Sequence, residues 1–285
     1  MRAPAVRGAL VCAVAIALAA CGGGAPSAPT PTPLPQATLT ATRPPAATAT
    51  STATLTPAPP PSPTLPPQPP PPTLSGGAAT VVRRGDPGRR VVTLTFDAGA
   101  DLGFTGQILD TLAANDIVAA FGITGSWAQQ FPDATRRIAA EGHTIVNHSY
   151  DHASFTGLST QTAPLSQQQR WYQLDRAESI IHDLTGGTTL PYFRPPYGDY
   201  DASVNADVFA RGYRYNVMWA LDSQGWRGRT VDEIVQICLD GAEPGAILIF
   251  HVGSASQDAN ALQRVIDGLR AQGYSFVSLP ELVGS

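Results

Sequence analysis

The chain contains no lysine; all 18 of its basic side chains among 285 residues are arginines. That absence excludes a catalytic lysine, Schiff-base chemistry and a lysine-dependent phosphate loop. A Gly-rich phosphate turn is also missing after the first predicted strand of the folded part. No acidic residue precedes Asp86, so all 22 acidic residues lie from there on, against 15 arginines once Arg2, Arg7 and Arg43 are set aside. The C-terminal part is therefore near −7, which argues against nucleic acid as a partner. Cysteine is scarce, with Cys12, Cys21 and Cys238 the whole complement. Cys238 falls in an apolar helical stretch and is expected in the core. The N-terminal apolar run, Ala9 to Ala20, is too short to span a bilayer permanently.

With Arg2 and Arg7 ahead of it, that run reads as an export signal over residues 1–20. Leu18-Ala19-Ala20-Cys21 followed by three glycines resembles the lipobox of bacterial lipoproteins. The resemblance implies that Cys21 is lipidated and becomes the mature N-terminus, holding an extracytoplasmic domain at the membrane. An ordinary signal peptide cut near its small residues is the alternative. With Cys21 lipidated, no disulfide is available within the domain. From Gly22 to Ala78 the composition turns to Pro, Thr, Ala and Ser, with Arg43 the only charge. Such a segment buries too little apolar surface to fold, and residues 21–78 are read as a lipidated cysteine plus a disordered linker. At about 3.1 Å per residue it reaches on the order of 100 Å or more. Residues 79–285 are then one folded domain of a size suited to a single core.

Within that domain, Val91 to Phe96 is a β-branched run, followed by helical spacing of Ile108, Leu109 and Leu112 over Thr105–Asn115. The alternation repeats. Strands are expected at Ile117–Ile123, Thr144–Val146, Tyr192-Phe193, Tyr215–Leu221, Ala246–Phe250 and Tyr274–Leu279. Helices are expected over Pro132–Ala140, Ser166–Leu184, Ala202–Arg211, from Ile234 behind a Thr230/Glu233 capping box, and over Ala261–Ala271. This is an α/β pattern, either a barrel or an open sheet. Asp97, His148, Arg194, Asp222 and His251 each follow a predicted strand, and polar groups at several strand ends favour a (β/α) barrel.

His148 and His152 stand four apart, so on a helical turn both imidazoles would project from one face and share a metal ion. Two solvated histidines are the bland alternative. Asp97 and His251 suit a base and an acid, because amide hydrolysis needs an activated water, a positive centre for the oxyanion and a proton for the leaving amine. Strand-end hydrogen bonds without chemistry are the alternative for each. Arg194-Pro195-Pro196-Tyr197-Gly198 is a rigid turn that brings an arginine and a tyrosine together. Asp222 could orient an imidazole, and Trp226 offers an aromatic plate for a sugar face.

Taken in order, Thr95–Gly99, His148–His152, Arg194–Gly198, Asp222–Trp226 and Ile249–His251 resemble the five motifs of the polysaccharide deacetylase family, the NodB-homology domains of the carbohydrate esterases. Glu141-Gly142-His143 also looks like the family. The resemblance implies a distorted (β/α) barrel with Asp97 as catalytic base and His148 and His152 as ligands of a divalent metal; it does not decide which, and zinc is expected, with cobalt or another ion as alternatives. It further implies that Arg194 holds Asp97, Asp222 tunes His251, and His251 is the general acid. The backbone N–H of Tyr197 would help bind the oxyanion, and Trp226 and Ile249 would wall the acetyl pocket. His143 and His182 are left structural. One position departs: the family's second aspartate, which completes the metal triad, is Ala98 here. Asp101, another oxygen or water would have to fill the gap, or the metal is weak or absent. The implied activity is removal of N-acetyl groups from an amino-sugar polymer of the cell envelope or exterior, such as peptidoglycan or a chitin-like glycan; a monomer is expected, though the resemblance does not decide it. A non-catalytic carbohydrate-binding lipoprotein, or another amide hydrolase on the same barrel, are the competing readings.

Overall fold

The computed structural model describes residues 73–284; the expected signal segment, Cys21 and the linker up to residue 72 lie outside the described residues. Backbone pairing begins at Leu74, whose N–H donates to Ala210 O at 2.9 Å, so the last linker residues already lie against the domain. A short strand, β1 (Thr80–Val82), follows; its three residues carried no periodicity to read.

The long strand β2 (Val91–Ala98) explains the layering. Its Val92, Leu94, Phe96 and Ala98 are fully buried among residues from the helices, while Val91, Thr93, Thr95 and Asp97 turn to the other face. Period-two alternation thus gives one strand two buried faces. The chain then runs α1 (Thr105–Ala114), β3 (Ala120–Ile123), α2 (Gly125–Gln130), α3 (Pro132–Ala140), β4 (Thr144–Asn147) and α4 (Gln167–Thr185). It continues through β5 (Tyr192–Phe193), α5 (Ala202–Ala210), β6 (Tyr215–Val217), β7 (Leu221–Asp222), α6 (Val231–Gly241), β8 (Ala246–His251), α7 (Asp258–Ala271), β9 (Ser275–Phe276) and α8 (Leu279–Val283).

Every strand pair is parallel, in the order β1-β6-β5-β4-β3-β2-β8-β7, with β9 beside the start of β2. The expected distorted barrel therefore takes the form of a curled half-barrel. Its concave side is filled by Ala120, Val146, Tyr192, Val217 and Ile247, one from each of five strands, and Leu279 and Leu282 of α8 pack against them. As in small barrels, the interior is a packed core rather than a pore. On the convex side Phe96 stacks on Phe121 at 5.2 Å and on Phe250 at 5.5 Å between ring centroids. Each such pair adds about 0.5–1.5 kcal/mol beyond burial, and together they fix the level of three strand ends.

Several element expectations change: β3 begins at Ala120 rather than Ile117, α6 begins at Val231 rather than Ile234, and three others differ. The run Tyr215–Leu221 is not one strand, because Met218 N–H pairs with Val82 O whereas Ala220 N–H pairs with Ile247 O, so the chain crosses to the other flank of the sheet between β6 and β7. The last strand stops at Phe276 and gives way to α8, whose Ser278 side chain caps Glu281 N–H. Helix α7 starts at Asp258, three residues before the expected Ala261.

Candidate active site

The sheet's carboxyl rim gathers the sequence-predicted residues. Asp97 and His251 are register partners on β2 and β8, and Gly122 of β3 lies opposite Asp97 on its other side. A Cβ at Gly122 would sit 2.4 Å from Asp97 Oδ1, so only glycine leaves room for that carboxylate. His148 follows β4 with its N–H on Ile123 O, and Arg194 follows β5 with its N–H on Asn147 O. Asp97, His148, His152, Tyr197, Asp222, Trp226, Ile249 and His251 line one cavity of about 740 Å³, together with Trp219. Arg194 lies beneath it, fully buried.

Arg194 spreads its guanidinium over three acceptors. Nη1 donates to Asp97 Oδ1 at 2.6 Å, Nη2 to Thr95 Oγ1 at 2.9 Å and Nε to Val217 O at 2.8 Å. Burial pushes the Asp97 carboxyl upward, but the Arg194 charge and hydrogen bond, together with the electrostatic influence of the His148 and His251 imidazoles, outweigh it and hold the group below the ordinary carboxylate value. Asp97 is thus an anion with one oxygen occupied and Oδ2 facing His148 Nε2 at 3.5 Å.

His148 and His152 do converge, with ring centroids 4.8 Å apart, but not by the expected helical turn. Residues 148–152 form a loop in which Ser149 (φ 68°) and His152 (φ 64°) are left-handed. Asn147 Oδ1 accepts Ser149 N–H and Ser149 Oγ accepts His152 N–H, which offsets the strain of those conformations. His148 Nδ1 is 2.9 Å from Arg194 O; a carbonyl only accepts, so Nδ1 carries the hydrogen and Nε2 presents a lone pair. Burial lowers the His148 pKa despite Asp97, and burial followed by His148 pushes His152 down to about 4, so both rings are neutral imidazoles at pH 7. A neutral Nε2 facing a carboxylate oxygen at 3.5 Å places two acceptors together, an arrangement that a cation between them would relieve.

The donor set is short by one. Among the described residues no three His, Cys, Asp or Glu side chains are grouped to hold an ion. Ala98 packs in the sheet–helix core. Asp101, the expected substitute ligand, is committed elsewhere: its carboxylate accepts the N–H of Ser254 at 2.9 Å and also the Ser254 hydroxyl, and these bonds hold its pKa below the ordinary value. It is exposed and does not line the cavity.

A second correction concerns Asp222. Its carboxylate accepts Gln224 N–H at 2.7 Å and Trp226 Nε1–H at 3.2 Å, so it orients the indole rather than an imidazole. The carboxylate beside His251 is Asp258, which sequence reasoning missed; Oδ2 accepts His251 N–H at 2.8 Å and lies 3.9 Å from Nδ1. The available signal was Ser256-Gln257-Asp258, a helix-start composition just past the His251 strand. Trp219 was also missed, absorbed into a strand that breaks there; Arg194 Cζ sits 5.8 Å from its ring centroid. Tyr197 (φ 61°) and Trp226 are about half exposed at the rim, with Tyr197 edge-on to His152 at 4.6 Å, while Ile249 is buried in the wall. His143 and His182 lie outside this cavity.

The model of the polysaccharide deacetylase family matches residues 84–216, a span that includes Asp97, both cavity histidines of the loop after β4, and Arg194. A peptidoglycan-N-acetylglucosamine deacetylase of Bacillus cereus is 32% identical over 67% of this chain and 67% of its own. Among solved structures, a peptidoglycan N-acetylglucosamine deacetylase bound to a hydroxamate-type benzamide superposes with a TM-score of 0.66 at 30% identity, over 72% of this chain and 93% of that one. A carbohydrate esterase family pseudoenzyme from Bacillus anthracis gives 0.65 at 26% identity, over 72% and 69%. Identity and fold agree with the motifs, and the chain belongs to the polysaccharide deacetylase family.

Proposed function

We propose that the chain hydrolyses N-acetyl groups from an amino-sugar polymer of the cell envelope, such as peptidoglycan, while tethered outside the cytoplasm through a lipid on Cys21. The observation that carries the reading is the joint presence, in one cavity, of an arginine-held carboxylate, two neutral histidines and a third histidine at the same strand level. The relatives named as deacetylases supply the substrate class.

A divalent cation, zinc by preference, would be held by His148 and His152 and would supply a Lewis-acidic centre that polarises the acetyl carbonyl and eases deprotonation of water. The protein's own groups do the rest. Asp97 Oδ2, free of Arg194, takes a proton from the attacking water as its oxygen bonds to the carbonyl carbon. The backbone N–H of Tyr197 would help stabilise the oxyanion. His251 gives a proton to the amine nitrogen as the C–N bond breaks, leaving acetate and a free amine. Ile249, Trp226 and Trp219 wall the acetyl group and exclude water, and Asp222 holds the Trp226 indole.

A second reading, a glycan-binding lipoprotein without turnover, is favoured by the core position of Ala98 and the engagement of Asp101 with Ser254. Acetate release from N-acetylated peptidoglycan and chitooligosaccharides, after chelation and after return of zinc or cobalt, separates the two. Metal-restored release that disappears in Asp97→Asn supports the deacetylase; glycan binding by the folded chain without release under any metal overturns it.

A further inference from the structure

Asp258 is the buried carboxylate that the reaction above leaves unused. It is 0% exposed, it sits in the first turn of α7, and its Oδ1 has no hydrogen-bond partner. His251 Nδ1 is also buried without a partner. The Asp258 oxygen nearest His251 Nδ1 is the other one, Oδ2, at 3.9 Å, beyond a hydrogen bond by about 1 Å. Leaving both unmade in the interior is unfavourable, and the nearest carboxylate to that ring nitrogen is this one. Catalytic contacts are often long in the empty enzyme and tighten with substrate.

The carboxylate is held in place from several sides. Oδ2 accepts the His251 backbone N–H at 2.8 Å, and Asp258 N–H rests on Ser256 Oγ at 3.1 Å. Gly225 supplies the space: a Cβ there would lie 2.3 Å from Asp258 Oδ1 and 2.4 Å from Ser256 Oγ. The other charged or titratable groups felt near His251 are Asp97 from β2 and His148 and His152 from the loop after β4. Asp222 points its oxygens at Trp226 and its own turn.

We propose that Asp258 is the positioning residue for His251, fixing the tautomer with hydrogen on Nδ1 so that Nε2 faces the cavity. The proposal rests on the deacetylase reading. In the protonated ring, Nε2–H transfers its proton to the leaving nitrogen; the N–H electrons stay on the ring, and the neutral Nδ1–H form remains directed at Asp258.

The test uses the purified full chain, in which five histidines keep side-chain ¹⁵N spectra sparse. In the wild type the neutral His251 ring should carry its hydrogen on Nδ1, and Asp258→Asn should move hydrogen toward Nε2. The same variant should lower kcat roughly 10²–10⁴-fold with KM within about twofold, and shift the alkaline limb of the kcat profile to lower pH. Asp222→Asn should leave that limb in place. A wild-type His251 protonated on Nε2, or an Asp258→Asn variant with wild-type kcat and limb, overturns the proposal. If the wild type releases no acetate the deacetylase reading fails on its own, and the tautomer spectrum still decides the Asp258 assignment. If Asp258→Asn does not fold, the wild-type spectrum alone decides it.

Discussion

Arg194→Met tests whether the site rests on a buried ion pair. The arginine side chain is 1% exposed and its Asp97 partner 10%, so neither charge has water to fall back on. Breaking a buried pair by removing one partner costs about 3–5 kcal/mol; in a domain of this size each kcal/mol is ~2–4 °C, so Tm should drop by on the order of 10 °C. The pH dependence identifies the cause. Asp97 is held below the ordinary value of 3.8, so in the wild type its pairing stabilises the fold above that value and is lost only as pH falls through the lower folded one. Without Arg194 the largest lowering influence and its hydrogen bond are gone while burial still disfavours the anion, so the carboxyl shifts upward and the variant at pH 7 must bury a less compensated charge or take up a proton. At pH 4 the unpaired-charge penalty shrinks, and what remains lost is the Asp97 pairing that the wild type still holds there, with the bonds to Val217 O and Thr95 Oγ1. Urea unfolding at the two pH values should therefore give the larger deficit at pH 7. A deficit below about 1 kcal/mol there, or one independent of pH, would refute the reasoning.

Metal titration calorimetry should show weaker zinc binding in His148→Ala and His152→Ala and an unchanged Kd in Asp101→Ala, because the Asp101 oxygens are engaged with Ser254. Gly225→Ala should displace Asp258 and cost about 1–3 kcal/mol by chemical unfolding, as overpacking does, with a loss of kcat in the same variant. Burial lowers the His143 pKa against the pull of Glu141, so its folded form resists a proton that the unfolded chain accepts. Stability should be intact above 6.5 and fall below it, by up to about 1.4 kcal/mol per pH unit for this group. His143→Gln should flatten that slope in urea titrations run with chelator.

Strand alternation and strand-end chemistry were readable because both are local. Val91 to Phe96 announces a β-branched strand, and Asp97, His148, Arg194 and His251 each sit one or two steps beyond such a run, where a parallel sheet collects them. What was not readable depends on how the chain returns. Met218 to Ala220 look like strand and are a crossover, because β1 and β8 compete for their N–H groups, and neither competitor is visible from Tyr215 onward. His148 and His152 meet through two left-handed residues rather than a helical turn, since Asn147 and Ser149 side chains stabilise the loop. Asp222 and Asp258 exchange places as partner of His251 because Gly225 opens a space that only the folded turn defines.

Charge balance at the rim bears on the absent third ligand. Asp97 and Arg194 cancel, and His148 and His152 are neutral at pH 7, so a divalent cation held by two imidazoles would bring two uncompensated positive charges into a partly buried cavity. A carboxylate in place of Ala98 would offset one of them; the methyl group offsets none. The anion nearest the two rings is Asp97, whose Oδ2 already faces His148 Nε2 at 3.5 Å. The cation's affinity therefore depends on the same carboxylate that is assigned the base. Asp97→Asn should then weaken zinc binding as well as stop acetate release, a coupling that a three-ligand site with its own second aspartate would not require. If Asp97→Asn abolishes release at an unchanged zinc Kd, the cation draws its compensation from elsewhere and the charge argument fails.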